Sequence, residues 1–270
     1  MFDTVLMNKR FDGFRNTPFL WEASLEGLEM FEPKGGSTPD YPKIETTVHI
    51  RLGKLIEQFV LFELSQNSSA QVLGATLQVF HDKRTIGELD CLIKQCDQNL
   101  HLEIVYKFYL YDPSISPELN RWIGPNRNDS LVQKLQKLKE KQLPLLHHPE
   151  AVKRLSELKL NSSKFTQQLY FKAQLFVPLN TQQVHFPFVN EQCIAGFYLR
   201  PDDLTFFQDH LFYIPSKLDW LIEPELNVLW LSFQSFEEAF RKLHVAHKSP
   251  LCWMKSSEGQ LQKFFIVWWE

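Results

Sequence analysis

Asp90, Glu103 and Lys107 stand in a stretch where apolar and polar side chains alternate. Ile86-Gly-Glu-Leu-Asp-Cys-Leu-Ile93 is followed by a polar gap and then by Leu100-His-Leu-Glu-Ile-Val-Tyr-Lys-Phe-Tyr-Leu110. Two strand-length runs around a short break predict a β-hairpin. Side chains alternate between the two faces of a strand, so Gly87, Leu89, Cys91 and Ile93 share one face and Glu88 and Asp90 the other. In the second run His101, Glu103, Val105, Lys107 and Tyr109 share a face, opposite Leu102, Ile104, Tyr106, Phe108 and Leu110. A turn through Cys96-Asp97, with Gln95 facing Gln98, sets Asp90 opposite Glu103. Directly opposed residues have Cβ atoms roughly 4.5–5.5 Å apart, and like charges there repel. Either a divalent cation, whose natural ligands are carboxylate oxygens, or Lys107 on the same face must offset that repulsion.

Several elements must position these groups. Residues 1–45 form an N-terminal covering segment, a short helix and then a breaker-rich loop, Glu32-Pro-Lys-Gly-Gly-Ser-Thr-Pro39. From Thr46 to Ser65 the apolar residues Leu52, Leu55, Ile56, Phe59 and Phe62 recur at helical spacing, with Thr46 or Thr47 as the cap. Glu57 flanks that stripe, and Gly53 one turn earlier would let the helix approach a sheet, so Glu57 can overhang the acid pair. Val72–Phe80 predicts a strand joined to the hairpin by His81–Thr85. A long loop containing Trp122, which is expected to plug the core, leads to a helix capped by Asn128 or Asp129. That helix carries Lys134, Lys137 and Lys141. A second helix over 149–158 and a strand over 169–179 complete a core of residues 46–180. Residues 181–270 predict an α+β C-terminal extension packed on the core, with strands over 194–199, 228–233 and 264–268. Its helix over 235–244 is capped by Ser235, and its aromatics are expected in the core.

The chain has 270 residues, 44% of them hydrophobic and 14% aromatic, enough to bury a substantial core. No apolar run is long enough to span a membrane and the first residues do not read as a signal peptide, so the expectation is a cytoplasmic protein without membrane contact. Four cysteines, 91, 96, 193 and 252, make no Cys-x-x-Cys pair, and no disulfide is expected. The net charge is −3, yet residues 121–172 hold eleven Lys or Arg against four acids, net +7, which leaves −10 elsewhere. That asymmetry suits either a solvated helical face or an anion-attracting surface for nucleic acid formed by Lys134, Lys137 and Lys141.

Gly87-Glu-Leu-Asp90, Glu103-Ile-Val-Tyr-Lys107-Phe-Tyr-Leu and Trp122-Ile-Gly-Pro-Asn126, together with Lys134, Gln142-Leu143 and Lys217 to Leu221, resemble the bacterial domain-of-unknown-function 1853 family, placed in the PD-(D/E)XK nuclease superfamily. The resemblance implies an α/β, restriction-endonuclease-like core in the order helix, three-strand meander, helix, strand. It also implies magnesium held by Asp90 and Glu103 with help from Glu57, a water-activating lysine at Lys107, and hydrolysis of DNA or RNA. The superfamily lysine stands two residues after the second acid. Here that position is Val105, and Lys107 lies a further strand repeat, about 6–7 Å, along the same face. Two other readings stay open on the residues alone: a non-catalytic binding member of the same fold, and a structural ion-pair network of Asp90, Glu103 and Lys107.

Overall fold

The computed structural model describes residues 4–34, 40–44, 50–182 and 185–269. In chain order the elements are α1 (Thr4–Asn16), the two-residue strands β1 (Ser24–Leu25) and β2 (Leu28–Glu29), α2 (Leu52–Gln66), β3 (Ala70–His81), β4 (Arg84–Gln95), β5 (Gln98–Tyr111), β6 (Trp122–Ile123) and α3 (Leu131–Lys137). There follow a π-helical turn (Leu138–Gln142), a 3-10 turn (Leu143–His147), α4 (Pro149–Glu157), β7 (Phe165–Pro178), β8 (Ile194–Leu199), β9 (Leu211–Tyr213), α5 (Phe233–Val245), β10 (Leu251–Lys255) and β11 (Leu261–Ile266). The architecture is mixed α/β, with a large mixed sheet and helices.

Contacts divide the chain into two units that interleave in sequence. The first holds residues 1–4, 19–106 and 133–172; the second holds 5–18, 107–132 and 173–270. In the first unit the strand order is β3-β4-β5-β7, and β3, β4 and β5 form an antiparallel meander. In the second, β7, β8 and β11 run parallel while β11, β10 and β9 run antiparallel.

The hairpin register is as expected at its turn end, but the strict alternation of faces breaks at Asp90: Gly87 and Leu89 pack in the same core cluster as Leu92, where an unbroken period of two would put them on the opposite face with Cys91 and Ile93. β4 and β5 pair as Gln95↔Gln98, Lys94↔Asn99, Ile93↔Leu100, Leu92↔His101 and Cys91↔Leu102, the register dictated by a turn through Cys96-Asp97. Cys96 takes a positive φ of 53°, as such a tight turn requires. The fold of the first unit rests on Val79, Leu89 and Leu92 packing against Leu145, Leu146, Ala151 and Leu155. Gly87 belongs to that contact, because a Cβ there would lie 2.5 Å from Leu145 Cδ2.

Several local expectations change. α2 begins at Leu52, after Arg51, which makes no side-chain cap; Thr46 and Thr47 lie outside the described residues. Gly53 meets nothing within 4 Å of where a Cβ would stand, so it makes no close approach to the sheet. Trp122 is core, as expected, packed edge-on against Tyr111 and Phe186. In the second unit α5 is capped by Ser232, whose Oγ accepts from the Ser235 amide at 3.4 Å, one turn before the expected cap. The strand expected over 228–233 is instead a loop. The Val228 amide and the Trp230 indole both donate to the Leu226 carbonyl, and only Leu231 makes a bridge, to Phe212. Among the described residues no helix is long and apolar enough to cross a membrane, and none of the four cysteines forms a disulfide.

Candidate carboxylate site on the central hairpin

The backbone opens around Asp90. Its neighbours Cys91 and Leu89 pair with Ala75 and Leu77 of β3, so Asp90 stands level with Thr76, and Thr76 takes a positive φ of 53° instead of a ladder position. On the other side the ladder with β5 stops at Cys91↔Leu102. The Asp90 side chain takes over where the backbone leaves off: its Oδ2 accepts from the Ile104 amide at 2.9 Å. The expected face-to-face backbone pair of Asp90 and Glu103 is thus replaced by a carboxylate bonded across the gap.

Glu103 lies two residues beyond His101 on β5, and both are fully buried. The sequence places both on the face opposite the apolar residues of β5. That face is covered, because the π-helical turn after α3 brings Gln142 against it: Gln142 Nε2 donates to Glu103 Oε2 at 2.5 Å. Lys134 Nζ in turn donates to Gln142 Oε1 at 2.6 Å. His101 Nε2 lies 3.2 Å from Glu103 Oε1, within ion-pair reach, but out of line, so neither atom completes a hydrogen bond. The far side of the imidazole is held by Gln167, whose Nε2 donates to the Leu143 carbonyl at 2.6 Å and stands 3.0 Å from His101 Nδ1. The carbonyl identifies that atom as the amide nitrogen. Nδ1 must therefore accept, and the ring proton of a neutral His101 sits on Nε2, facing Glu103.

Burial and the neighbouring Glu103 push the Asp90 carboxyl up to about 7 against the help of the Ile104 amide, with Glu57 adding to the rise and Lys134 opposing it. Burial also raises Glu57, against the pull of Lys54. Lys54 bridges two carboxylates, 2.8 Å from Glu57 Oε2 and 2.7 Å from Glu88 Oε1; burial works against its charge, but the two acids raise its pKa. Beside them, burial lifts the Cys91 thiol to about 12, leaving it protonated.

The predicted site residues therefore fall into three groups. Asp90, Glu103 and Glu57 share one electrostatic neighbourhood in the first unit, and Lys134 belongs to it through Gln142. Lys137 and Lys141 are exposed on the same helical segment. Lys107 is in the second unit, where its ammonium pairs with Asp129 at 2.5 Å. The Trp122-Ile-Gly-Pro-Asn126 segment builds that pair: Gly124 donates to the Asp129 carbonyl, and a Cβ at 124 would lie 1.9 Å from Asp129 Oδ1. Sequence reasoning missed His101, Gln142 and Gln167. His101 had a local signal in its i,i+2 relation to Glu103, and Gln142 stands in the Gln142-Leu143 pair that carries the family resemblance without having been assigned a role; Gln167 had none.

Among the described residues no group of three or more His, Cys, Asp or Glu converges closely enough to hold a metal by itself. The pair nonetheless has hard oxygen donors crowded in a buried setting, and Glu103 Oε1 is a buried acceptor without a hydrogen bond. Magnesium characteristically takes only one or two protein carboxylates and completes its shell with water and substrate phosphate, so Asp90 and Glu103 fit it.

Comparison with curated proteins and with solved structures gives no match. A family profile matches residues 26–267, nearly the whole chain. The protein belongs to the family described as a domain of unknown function, DUF1853.

Proposed function

We propose that this chain is a divalent-cation-dependent phosphodiesterase acting on DNA or RNA, built on a restriction-endonuclease-like core. The observation that carries the reading is the buried pair Asp90 and Glu103, two carboxylates crowded where the sheet ladder opens, with one oxygen of Glu103 left without a hydrogen bond. The element order α2, then the β3-β4-β5 meander, then α3 and α4, then β7 agrees with that core.

Asp90 and Glu103 would hold magnesium, which when bound neutralises phosphate charge and acidifies the attacking water. The chain's own groups prepare the site. The Ile104 amide orients Asp90, and the Gln142 amide orients Glu103. Asp90 must release its proton before it can accept a cation, so binding is coupled to proton loss near neutrality. Glu57 is tied up with Lys54 and adds negative potential, discouraging any anion from settling before the cation does. The exposed Lys137 and Lys141 supply phosphate contacts along the nucleic-acid backbone. Lys107, paired with Asp129, is given no step.

A non-catalytic binding module is favoured by one observation: the position two residues after Glu103 is the buried Val105, where the resembled superfamily has lysine. Cation-dependent turnover separates the two. The test is a metal-titrated assay on labelled single- and double-stranded DNA and RNA. Cleavage that needs magnesium or manganese, stops with a chelator and is lost in Asp90→Asn is the expected result. Binding without cleavage under every divalent ion would leave the binding module standing.

A further inference from the structure

Glu103 is fully buried, and each of its oxygens faces a different helper. Oε2 takes the Gln142 amide at 2.5 Å, and Oε1 faces the His101 ring at 3.2 Å. Gln142 is not a free-standing donor. Its Oε1 is engaged by Lys134 Nζ at 2.6 Å, and that bond fixes which end of the amide points at Glu103, because an ammonium can only donate and must meet the oxygen. The two residues are eight apart, and the π-helical turn over Leu138–Gln142 swings Gln142 back over the strand. His101 is not available as a cation ligand: with Nδ1 accepting from Gln167, Nε2 carries the proton and has no lone pair to offer. Glu103 thus has Oε2 pinned by the neutral Gln142 amide, while Oε1, which completes no hydrogen bond, keeps its lone pairs for a cation.

We propose that Lys134 and Gln142 are positioning residues of the carboxylate site: Lys134 sets the Gln142 amide, and Gln142 sets the Glu103 carboxylate, for a divalent cation. The inference rests on the reading of Asp90 and Glu103 as a cation pair. It gives Lys134 a different task from its surface neighbours Lys137 and Lys141, which the sequence alone groups together. Without the ammonium the amide of Gln142 is free to turn, presenting its oxygen to Glu103 and repelling it.

The experiment is calorimetric titration of magnesium and of manganese into the full chain at mildly alkaline pH, for the parent, Lys134→Met, Lys134→Arg, Gln142→Leu and the control Lys153→Met on the exposed face of α4, each with its melting midpoint. Groups that orient metal ligands through hydrogen bonds typically control about 10- to 100-fold in metal affinity. Lys134→Met and Gln142→Leu are expected to weaken both ions by that factor, with Lys134→Arg retaining most of the affinity and Lys153→Met all of it. A merely structural role would shift midpoints and leave the dissociation constants of the folded protein alone. A parent that binds ions while Lys134→Met and Gln142→Leu bind them equally well overturns the positioning role and spares the acid pair. A parent that binds neither ion overturns the acid pair, and this inference with it. Should Lys134→Met fail to fold, Gln142→Leu, which keeps the ammonium, decides the matter.

Discussion

Asp90→Asn should stabilise the metal-free protein, and only above mildly acidic pH. In the fold burial and Glu103 hold the Asp90 carboxyl at about 7, whereas in the unfolded chain it titrates near 3.9. A raised acid favours its protonated form in the fold. Its contribution is therefore fully present below about pH 4 and is lost as pH rises to about 7, above which the fold carries the whole cost of the buried charge. Three pH units correspond to roughly 4 kcal/mol, an upper bound because the site relaxes when the charge forms, and about 2–4 kcal/mol is the working range. Asparagine stays neutral, and its oxygen can still accept from the Ile104 amide. The difference between the Asp90→Asn variant and the parent should be near zero at about pH 3, grow through the acidic range and reach its plateau near pH 8, roughly 4–8 °C in melting midpoint for a chain of this size. The assay is a pair of thermal melts in chelator across that range. A variant that melts below the parent at the alkaline end would show that Asp90 has an attractive partner instead, as an ion-pair network requires, with a loss of up to about 1 kcal/mol. An offset equal at both ends would show that Asp90 does not titrate in this window.

Gly87→Val should cost roughly 1–3 kcal/mol in a denaturant melt, because its Cβ would lie 2.5 Å from the Leu145 methyl and force that core contact apart; a neutral result would mean that the Leu145 side chain turns away freely. Reversing charge at Lys137 and Lys141 together should weaken nucleic-acid binding and reduce the salt slope by about 2 while leaving the midpoint within about 0.5 kcal/mol of the parent; an unchanged slope removes this surface from the interface. Because Asp90 must lose a proton to accept a cation, apparent magnesium affinity should fall by up to about tenfold per pH unit below pH 7; affinity flat between pH 6 and 8, read by calorimetry, would exclude Asp90 as a ligand.

What the sequence discloses here is what repeats locally. The hairpin register follows from a period of two and a two-residue turn, and Cys91↔Leu102 and Gln95↔Gln98 pair as that pattern requires. α4 begins at Pro149, a residue suited to the first helical turn. The interior of the site depends on distant partners. Glu103 meets Gln142 across 39 positions and His101 meets Gln167 across 66, and no alternation in β5 says which helix will cover that face. For the same reason Lys134, Lys137 and Lys141 read as one basic stripe, although Lys134 turns inward to Gln142. The cap of α5 is ambiguous because Ser232 and Ser235 both suit the position, and the choice lies in how the preceding loop leaves β9 through Leu231. Lys107 sits on an unbroken strand, yet its partner Asp129 is delivered by the turn at Gly124, a tertiary contact that strand periodicity does not encode.

The central claim is that Asp90 and Glu103 are apposed to receive a divalent cation. The most direct measurement is the melting midpoint of the parent at mildly alkaline pH with and without magnesium, repeated with manganese. A cation that binds the fold alone stabilises it, by about 1.4 kcal/mol at ten times its dissociation constant. The midpoint should rise with ion concentration, and the rise should be lost in Glu103→Gln. A parent midpoint that ignores both ions across the millimolar range would contradict that claim.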